Sequence, residues 1–231
     1  MMRNPLSAIA VVIPVHDEEA LLGACLSSVC DAAEAARAAV SDVVVHVVLD
    51  ACTDASTQIA AEFPVAVHTV DACSVGVARG AGVQAALRQL ARVPADRLWL
   101  AHTDADSAVP RHWLTHQVAL ANDGADVVVG TVRPDFRDLS DAQIAAWRAR
   151  YTPGVANGHV HGANLGTRAS SLIAVGGFPP IPAHEDVRLV EEMRRGGAKI
   201  VASDDAWVLT SGRQYGRATG GYADYLRTQL V

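Results

Sequence analysis

A doubly wound, mainly parallel α/β sheet is the fold class this sequence predicts, on three observations. Short apolar runs of strand length alternate four times with segments of helical periodicity. Each run stops abruptly in polar residues, as strands buried on both faces do where they reach the sheet edge. The polar ends of the first, second and fourth runs carry acids: His16-Asp17-Glu18, Asp50, and the pair Asp104 and Asp106. Ligands of open α/β sheets lie beyond the carboxyl ends of the strands, so these three groups are expected around one cleft.

The first strand is Ile9–Pro14, closed by a proline that has no N–H to donate. Leu21, Leu22, Cys25, Leu26 and Val29 follow at helical spacing, with Asp17 the expected N-cap and Glu18 and Glu19 favoured by the helix dipole. Val43–Leu49 is the second strand and Val65–Val70 the third; His46 and His68 lie inside apolar runs and are expected to be structural. Between them, Thr53 or Asp54 caps a short helix ending at Ala61. Ser74 then caps a helix striped by Val77, Val83, Leu87 and Leu90. Arg79 sits in its first turn, where a cation opposes the dipole, and this predicts an anion beside it, a carboxylate or a phosphate. Gly76, Gly80 and Gly82 follow the third strand and do not spell GxGxxG, which argues against a Rossmann dehydrogenase.

The fourth strand, Leu98–Ala101, breaks into Thr103-Asp104-Ala105-Asp106-Ser107. In extended chain the two carboxylates would share a side, which predicts a positive group between them. Hard oxygens of this kind suit Mg²⁺ or Mn²⁺, ions that share their coordination with phosphates. The structural alternative is a polar turn in which either aspartate caps the next helix. That helix is Pro110–Ala121 and the fifth strand is Val127–Val132. Residues 133–159 are polar, with a helix hinted at by Ile144 and Trp147. His161–Gly166 reads as a turn-rich strand and Arg168–Val175 as a short helix. The proline-rich turn Pro179–Pro182 delivers His184-Glu185-Asp186 onto a helix that ends at Arg194-Arg195-Gly196-Gly197. Lys199–Ala202 and Ala206–Leu209 are late strands, and a terminal helix lies near residues 222–230.

At 231 residues, 50% hydrophobic and 19% charged, the chain is globular and has the size of one large domain. A formal charge of −6 leaves no basic surface for nucleic acid. Cys25, Cys30, Cys52 and Cys73 show no CxxC spacing, so neither zinc nor a disulfide framework is indicated. With no apolar run of membrane-spanning length and no signal peptide, a cytoplasmic protein is expected, and docking on a membrane surface is left open, as is oligomeric state.

Taken together, VVIPVHDEE, LDACTD, GVARGAG, TDADS and HED, in that order and spacing, resemble the family 2 glycosyltransferases of GT-A fold over residues 8–215. The resemblance implies a single glycosyltransferase domain, with residues 1–132 binding the donor and 133–231 forming the acceptor side and tail. It implies transfer of a sugar from a nucleoside diphosphate donor to an acceptor hydroxyl, with Mn²⁺ or Mg²⁺ and usually with inversion. On the matching positions, Pro14, His16, Asp17 and Glu18 would cradle the nucleoside and Asp50 would accept from the base. Asp104 would reach the ribose or the metal and Asp106 would bind the metal. Arg79 would lie near the donor, Asn164 would border the sugar, and Arg213 and Arg217 would close over the diphosphate. Asp186, with Glu185 beside it, would be the general base. The sequence departs from the family in a single aspartate at the end of the second strand, in Ala51 and Cys52 where glycine and serine are commoner, and in having no QxxRW motif.

Two other enzymes fit less well. A DxD phosphatase wants its motif on an early strand and a downstream lysine, and Lys199, the only lysine, precedes a late strand. A sugar nucleotidyltransferase wants a glycine-rich basic loop after the first strand, which is missing. The non-enzyme alternative is a protein that binds nucleotide sugar, or a partner, without turnover.

Overall fold

The structure, a computed structural model, describes residues 4–216 and 220–230. Its centre is one eight-stranded sheet ordered β3-β2-β1-β4-β7-β6-β8-β5. The strands are β1 (Ala8–Val15), β2 (Asp42–Asp50), β3 (Ala66–Val70), β4 (Leu98–His102), β5 (Ser107–Ala108), β6 (Val127–Pro134), β7 (Leu165–Arg168) and β8 (Ile200–Thr210). β1 to β4 run parallel; β7 enters antiparallel between β4 and β6, and β8 returns parallel to β6. The C-terminal portion therefore completes the same sheet.

Helices cover both faces, and β1 shows why. Its side chains alternate, and both sets are apolar. Ile9, Val11 and Ile13 pack with Leu22, Leu26 and Val29 of α1 (Leu22–Ala36) and with Trp113 and Leu114 of α4 (Trp113–Asn122). Ala8, Ala10 and Val12 pack on the other side with Val83 and Ala86 of α3 (Val75–Gln89). Leu172 of α6 (Ala169–Ala174) and Leu189, Val190 and Met193 of α7 (Glu185–Arg195) complete that second core. The small residues of β1 lie under α3, which lets that helix approach closely.

Several expectations need correction. Asp17 is not the N-cap of α1: it takes φ +50°, and its Oδ1 accepts from the backbone N–H of Thr53 (2.6 Å) and Asp54 (3.2 Å). Its carboxylate shapes the turn after β2. Asp54 in turn accepts from Ser56 N (2.9 Å) at the start of α2 (Ser56–Ala61). The two late strands are one strand, β8, with a register shift opposite Gly130–Val132. The two-residue β5 was not foreseen, because two residues carry no periodicity. His46 and His68 pair with each other, His46 Nδ1 lying 2.9 Å from His68 Nε2 with the rings stacked.

The illegible stretch 133–159 contains α5 (Asp141–Arg150), opened by a capping box between Ser140 and Gln143. Trp147 of α5 packs with Leu226 and Leu230 of the terminal segment, with Tyr222 and Tyr225 around them. The terminal helix α8 (Tyr222–Gln229) is held there, and Gln143 Nε2 donates to Leu226 O (3.1 Å).

Asn164, expected beside the sugar, is instead a rivet of the core. It is 2% exposed; its Oδ1 accepts from Trp113 Nε1 (2.8 Å), and its Nδ2 donates to Thr131 O (3.0 Å) and Ala206 O (2.9 Å). One side chain thus ties α4, β6 and β8 together. Asn164→Ala strands three buried polar groups and is expected to lower the unfolding free energy by about 2–4 kcal/mol, read from urea unfolding. A loss below about 0.5 kcal/mol would contradict this role.

Candidate active site

The carboxyl ends of β1, β2 and β4 open into a cleft of about 980 Å³. Pro14, His16 and Glu18 line it from β1 and the residues that follow, Asp50 from β2, and Asp104 and Asp106 from the turn after β4. α3 supplies Arg79, the start of α7 supplies Glu185 and Asp186, and the segment after β8 supplies Arg213. Asp17 and Asn164 do not line it. Arg217 lies outside the described residues. Lys199 points elsewhere, its Nζ donating to Asp123 O (3.0 Å).

The loops around this edge are strained in a consistent way. Among the described residues, the non-glycine residues with positive φ are Asp17, Ala51, Cys73 and His184. They lie after β1, after β2, before α3 and before α7, all in loops at the cleft edge. Such conformations cost of order 1–3 kcal/mol each and persist only where the surroundings enforce them. Asp50 supplies part of that enforcement. Its carboxylate accepts from the backbone N–H of Ala72 (2.8 Å), Cys73 (2.9 Å) and Ser74 (2.7 Å), which fixes the entry to α3. His16 Nδ1 lies 2.6 Å from the Asp50 carbonyl oxygen; since a carbonyl only accepts, Nδ1 carries the proton.

Arg79 is the electrostatic centre. Its side chain is 1% exposed; Nε donates to Glu185 Oε1 (3.0 Å) and Nη2 donates to Asp104 Oδ1. The anion that the sequence demands beside Arg79 is thus a pair of carboxylates. Two close approaches make the arrangement possible. A side chain at Gly76 would meet Pro179 O and Ile181 O, so the proline-rich turn lies directly on the first turn of α3 and brings α7 to Arg79. A side chain at Gly162 would meet the Arg79 guanidinium itself.

Asp104 and Asp106 do not share one counter-charge, and the chain between them is a turn. The period-two expectation fails there. Asp104 takes Arg79; Asp106 takes Arg213, whose guanidinium also grips Glu18, Nη2 to Oε1 at 2.5 Å and Nη1 to Oε2 at 3.2 Å. Burial pushes the Asp104 carboxyl above the usual range despite Arg79, with Glu185 and Asp186 adding to the rise. Burial and then the charge of Asp104 do the same to Asp106 against the pull of Arg213. Asp186 is held by backbone: its Oδ2 accepts from Gly162 N (2.6 Å) and its Oδ1 from Val187 N (2.7 Å).

Beyond Asp186 the cleft wall is aromatic, with Trp147, Tyr151, His161, Tyr222 and Tyr225. His161 opens the turn-rich stretch His161–Gly166; the others sit in residues 133–159 and the tail. Burial drives the His161 imidazole down to about 4, although Asp186 opposes the shift.

Two predictions follow from this geometry. Arg79→Met leaves two carboxylates facing each other and should cost about 3–5 kcal/mol of stability, measured by chemical unfolding. The unfolded chain protonates His161 near 6.5 and the folded chain near 4, so the stability gained by keeping it neutral is complete above pH 6.5. It is lost as the pH falls toward 4. Melting curves of the wild type and His161→Asn should therefore converge or cross over that interval, and a pH-independent difference would contradict it.

The pattern of glycosyl transferase family 2 matches residues 10–163. No curated protein matches the chain. Among solved structures, S. aureus TarS crystallised with UDP-GlcNAc superposes with a TM-score of 0.66 at 16% identity, covering 93% of this chain and 61% of that one. The mannosyltransferase PcManGT of Pyrobaculum calidifontis, with GDP-Man and Mn²⁺, gives 0.63 at 21% identity over 90% of this chain and 58% of its own. Glucosyl-3-phosphoglycerate synthase of Mycobacterium tuberculosis, with Mg²⁺ and UDP, gives 0.56 at 17% identity over 90% and 72%. At these identities the likeness is one of fold, and the chain spans about three fifths of the length of the first two. Since the family pattern covers two thirds of the sequence, this chain belongs to glycosyl transferase family 2.

Proposed function

We propose that this chain transfers a sugar from a nucleoside diphosphate donor to an acceptor hydroxyl with inversion at the sugar carbon. The observation that carries the proposal is the convergence of Glu18, Asp104, Asp106, Glu185 and Asp186, from three separate segments, on one cleft. Family membership supports sugar transfer, and the UDP-GlcNAc, GDP-Man and UDP bound in the structural relatives support a nucleotide donor. Residues 1–132 would hold chiefly the donor and residues 133–231 the acceptor. With Asp50 engaged by three backbone N–H groups, a base would meet an acceptor already fixed in place. Four free cysteines agree with work in a reducing cytoplasm, and no helix among the described residues is long and apolar enough to cross a membrane.

The site suits a divalent cation. Among the described residues, the carboxylates of Glu18, Asp50, Asp104, Asp106, Glu185 and Asp186 line the cleft with the guanidiniums of Arg79 and Arg213, and Arg150 lies exposed at the rim. Burial raises the Asp104 and Asp106 carboxyls above their usual range, with neighbouring carboxylates adding to the rise, and a cation beside them would favour the charged forms. Mn²⁺ or Mg²⁺, as seen in the relatives, would be held by Asp106 and would offset charge developing on the leaving diphosphate. The chain's own residues do the rest. Asp186 accepts the proton of the acceptor hydroxyl as the new glycosidic bond forms and the bond to the diphosphate breaks. The N–H groups of Gly162 and Val187 fix the orientation of that carboxylate. Glu185, tied to Arg79, positions the start of α7.

The paired variants Asp106→Asn and Asp186→Asn test the assignment. Donor binding, followed by thermal shift with UDP- and GDP-sugars in Mn²⁺, should be lost in Asp106→Asn and kept in Asp186→Asn. Transfer by Asp186→Asn should fall by roughly 10²–10⁴-fold. Normal transfer by that variant sinks the base assignment. Donor binding by the wild type with no transfer to any hydroxyl would favour a binding protein without turnover.

A further inference from the structure

We infer that Glu18 is a ligand of the divalent cation alongside Asp106, that Asp104 is not, and that Arg213 occupies the cation's place in the metal-free chain. The inference rests on the metal-dependent reading above and specifies which residues serve it.

The geometry begins with one nitrogen. Arg213 Nη2 donates both to Glu18 Oε1, at 2.5 Å, and to Asp106 Oδ2. Two carboxylate oxygens from different strand ends are therefore already gathered around a single positive centre. A cation that binds oxygen at about 2.1 Å needs the same pair drawn only slightly closer. Both acids are well enclosed: the Glu18 side chain is 9% exposed and that of Asp106 is 13%. Glu18 is also anchored through its backbone, its N–H donating to Ser56 Oγ (3.0 Å).

Asp104 is differently placed. Its Oδ1 is committed to Arg79, which is buried, so turning Asp104 toward a metal would leave that guanidinium with Glu185 alone. Among the described residues, the only three potential ligand atoms within 4.8 Å of one another are those of Asp17, Cys52 and Asp54, so Asp104 does not join Glu18 and Asp106 in such a trio. The Asp17 group itself carries no metal argument, since its carboxylates are occupied by the backbone N–H groups of Thr53, Asp54, Glu19 and Ser56.

Arg213 can be exchanged where Arg79 cannot. Its side chain is 33% exposed, and it belongs to the segment after β8. A metal and this guanidinium compete for the same two oxygens. A bound diphosphate would give the displaced guanidinium a new anion, so metal and donor would bind more tightly together than apart.

The test is Mn²⁺ binding to the full chain without donor, followed by the loss of the free Mn²⁺ paramagnetic resonance signal. Arg213→Met should bind Mn²⁺ roughly tenfold more tightly than the wild type, because a like charge leaves the site. In the Arg213→Met background, adding Glu18→Gln should weaken binding as much as adding Asp106→Asn does, by roughly tenfold or more. Asp104→Asn should change it less than roughly threefold. Thermal unfolding of each variant confirms that it is folded, and Glu18→Asp, which keeps the charge, should recover part of the lost affinity. Unchanged binding in Arg213→Met, or binding that depends on Asp104 and ignores Glu18, overturns the inference. The second of those results would leave metal-dependent sugar transfer standing. Failure of the wild type to transfer any sugar in Mn²⁺ is a separate result and bears on the proposed function.

Discussion

A guanidinium shut away from water must have its charge answered by protein, and the ion pairs of Arg79 are the constraint on which the rest of this site depends. Arg79 is the fifth residue of α3, close to the end at which a positive charge is least welcome. Asp104 and Glu185 reverse that penalty, and in doing so they join the end of β4 to the start of α7 across a long stretch of sequence. Everything that brings α7 into place serves the same link: the proline-rich turn on Gly76, the hydroxyl of Ser74 donating to Ile181 O (3.2 Å), and the backbone of Gly162 against the guanidinium. Asp186 inherits its position from Glu185, one residue away.

The two arginines of the cleft floor differ in kind. Arg79 is buried, doubly paired and part of the fold. Arg213 is a third exposed and paired with acids at the cleft floor. The fold thus supplies one counter-charge sealed from water and one that water reaches.

Much of this was legible in the sequence, because the parallel half of the sheet writes itself as apolar runs with polar ends. Strand positions for β1 to β4, the gathering of acids at their carboxyl ends and the need for an anion at Arg79 all follow from period, burial and dipole. The failures have physical causes too. Asp17 has the composition of a helix cap, but its φ of +50° turns it toward the next loop, and no local pattern signals that. Asp104 and Asp106 look extended only if the strand continues, whereas it ends at His102. Asn164 stood beside the sugar only by family resemblance; its three long-range partners, from α4, β6 and β8, are tertiary facts. The aromatic wall was illegible for the same reason, since Trp147 and Tyr222 meet only once α8 folds back on α5.

The short strand β5 has a mechanical consequence. Ser107 and Ala108 pair with Thr210 and Leu209, Ser107 Oγ lies 2.9 Å from Thr210 Oγ1, and Ser211 N donates to Asp106 O (3.1 Å). The base of the tail is therefore stitched to the very turn that bears Asp106. The next two residues are pinned as well, Gly212 N donating to Asp138 Oδ2 (3.0 Å) and Arg213 N to Ser211 Oγ (3.2 Å). With its backbone held at this point, Arg213 reaches the cleft floor through the length of its side chain alone.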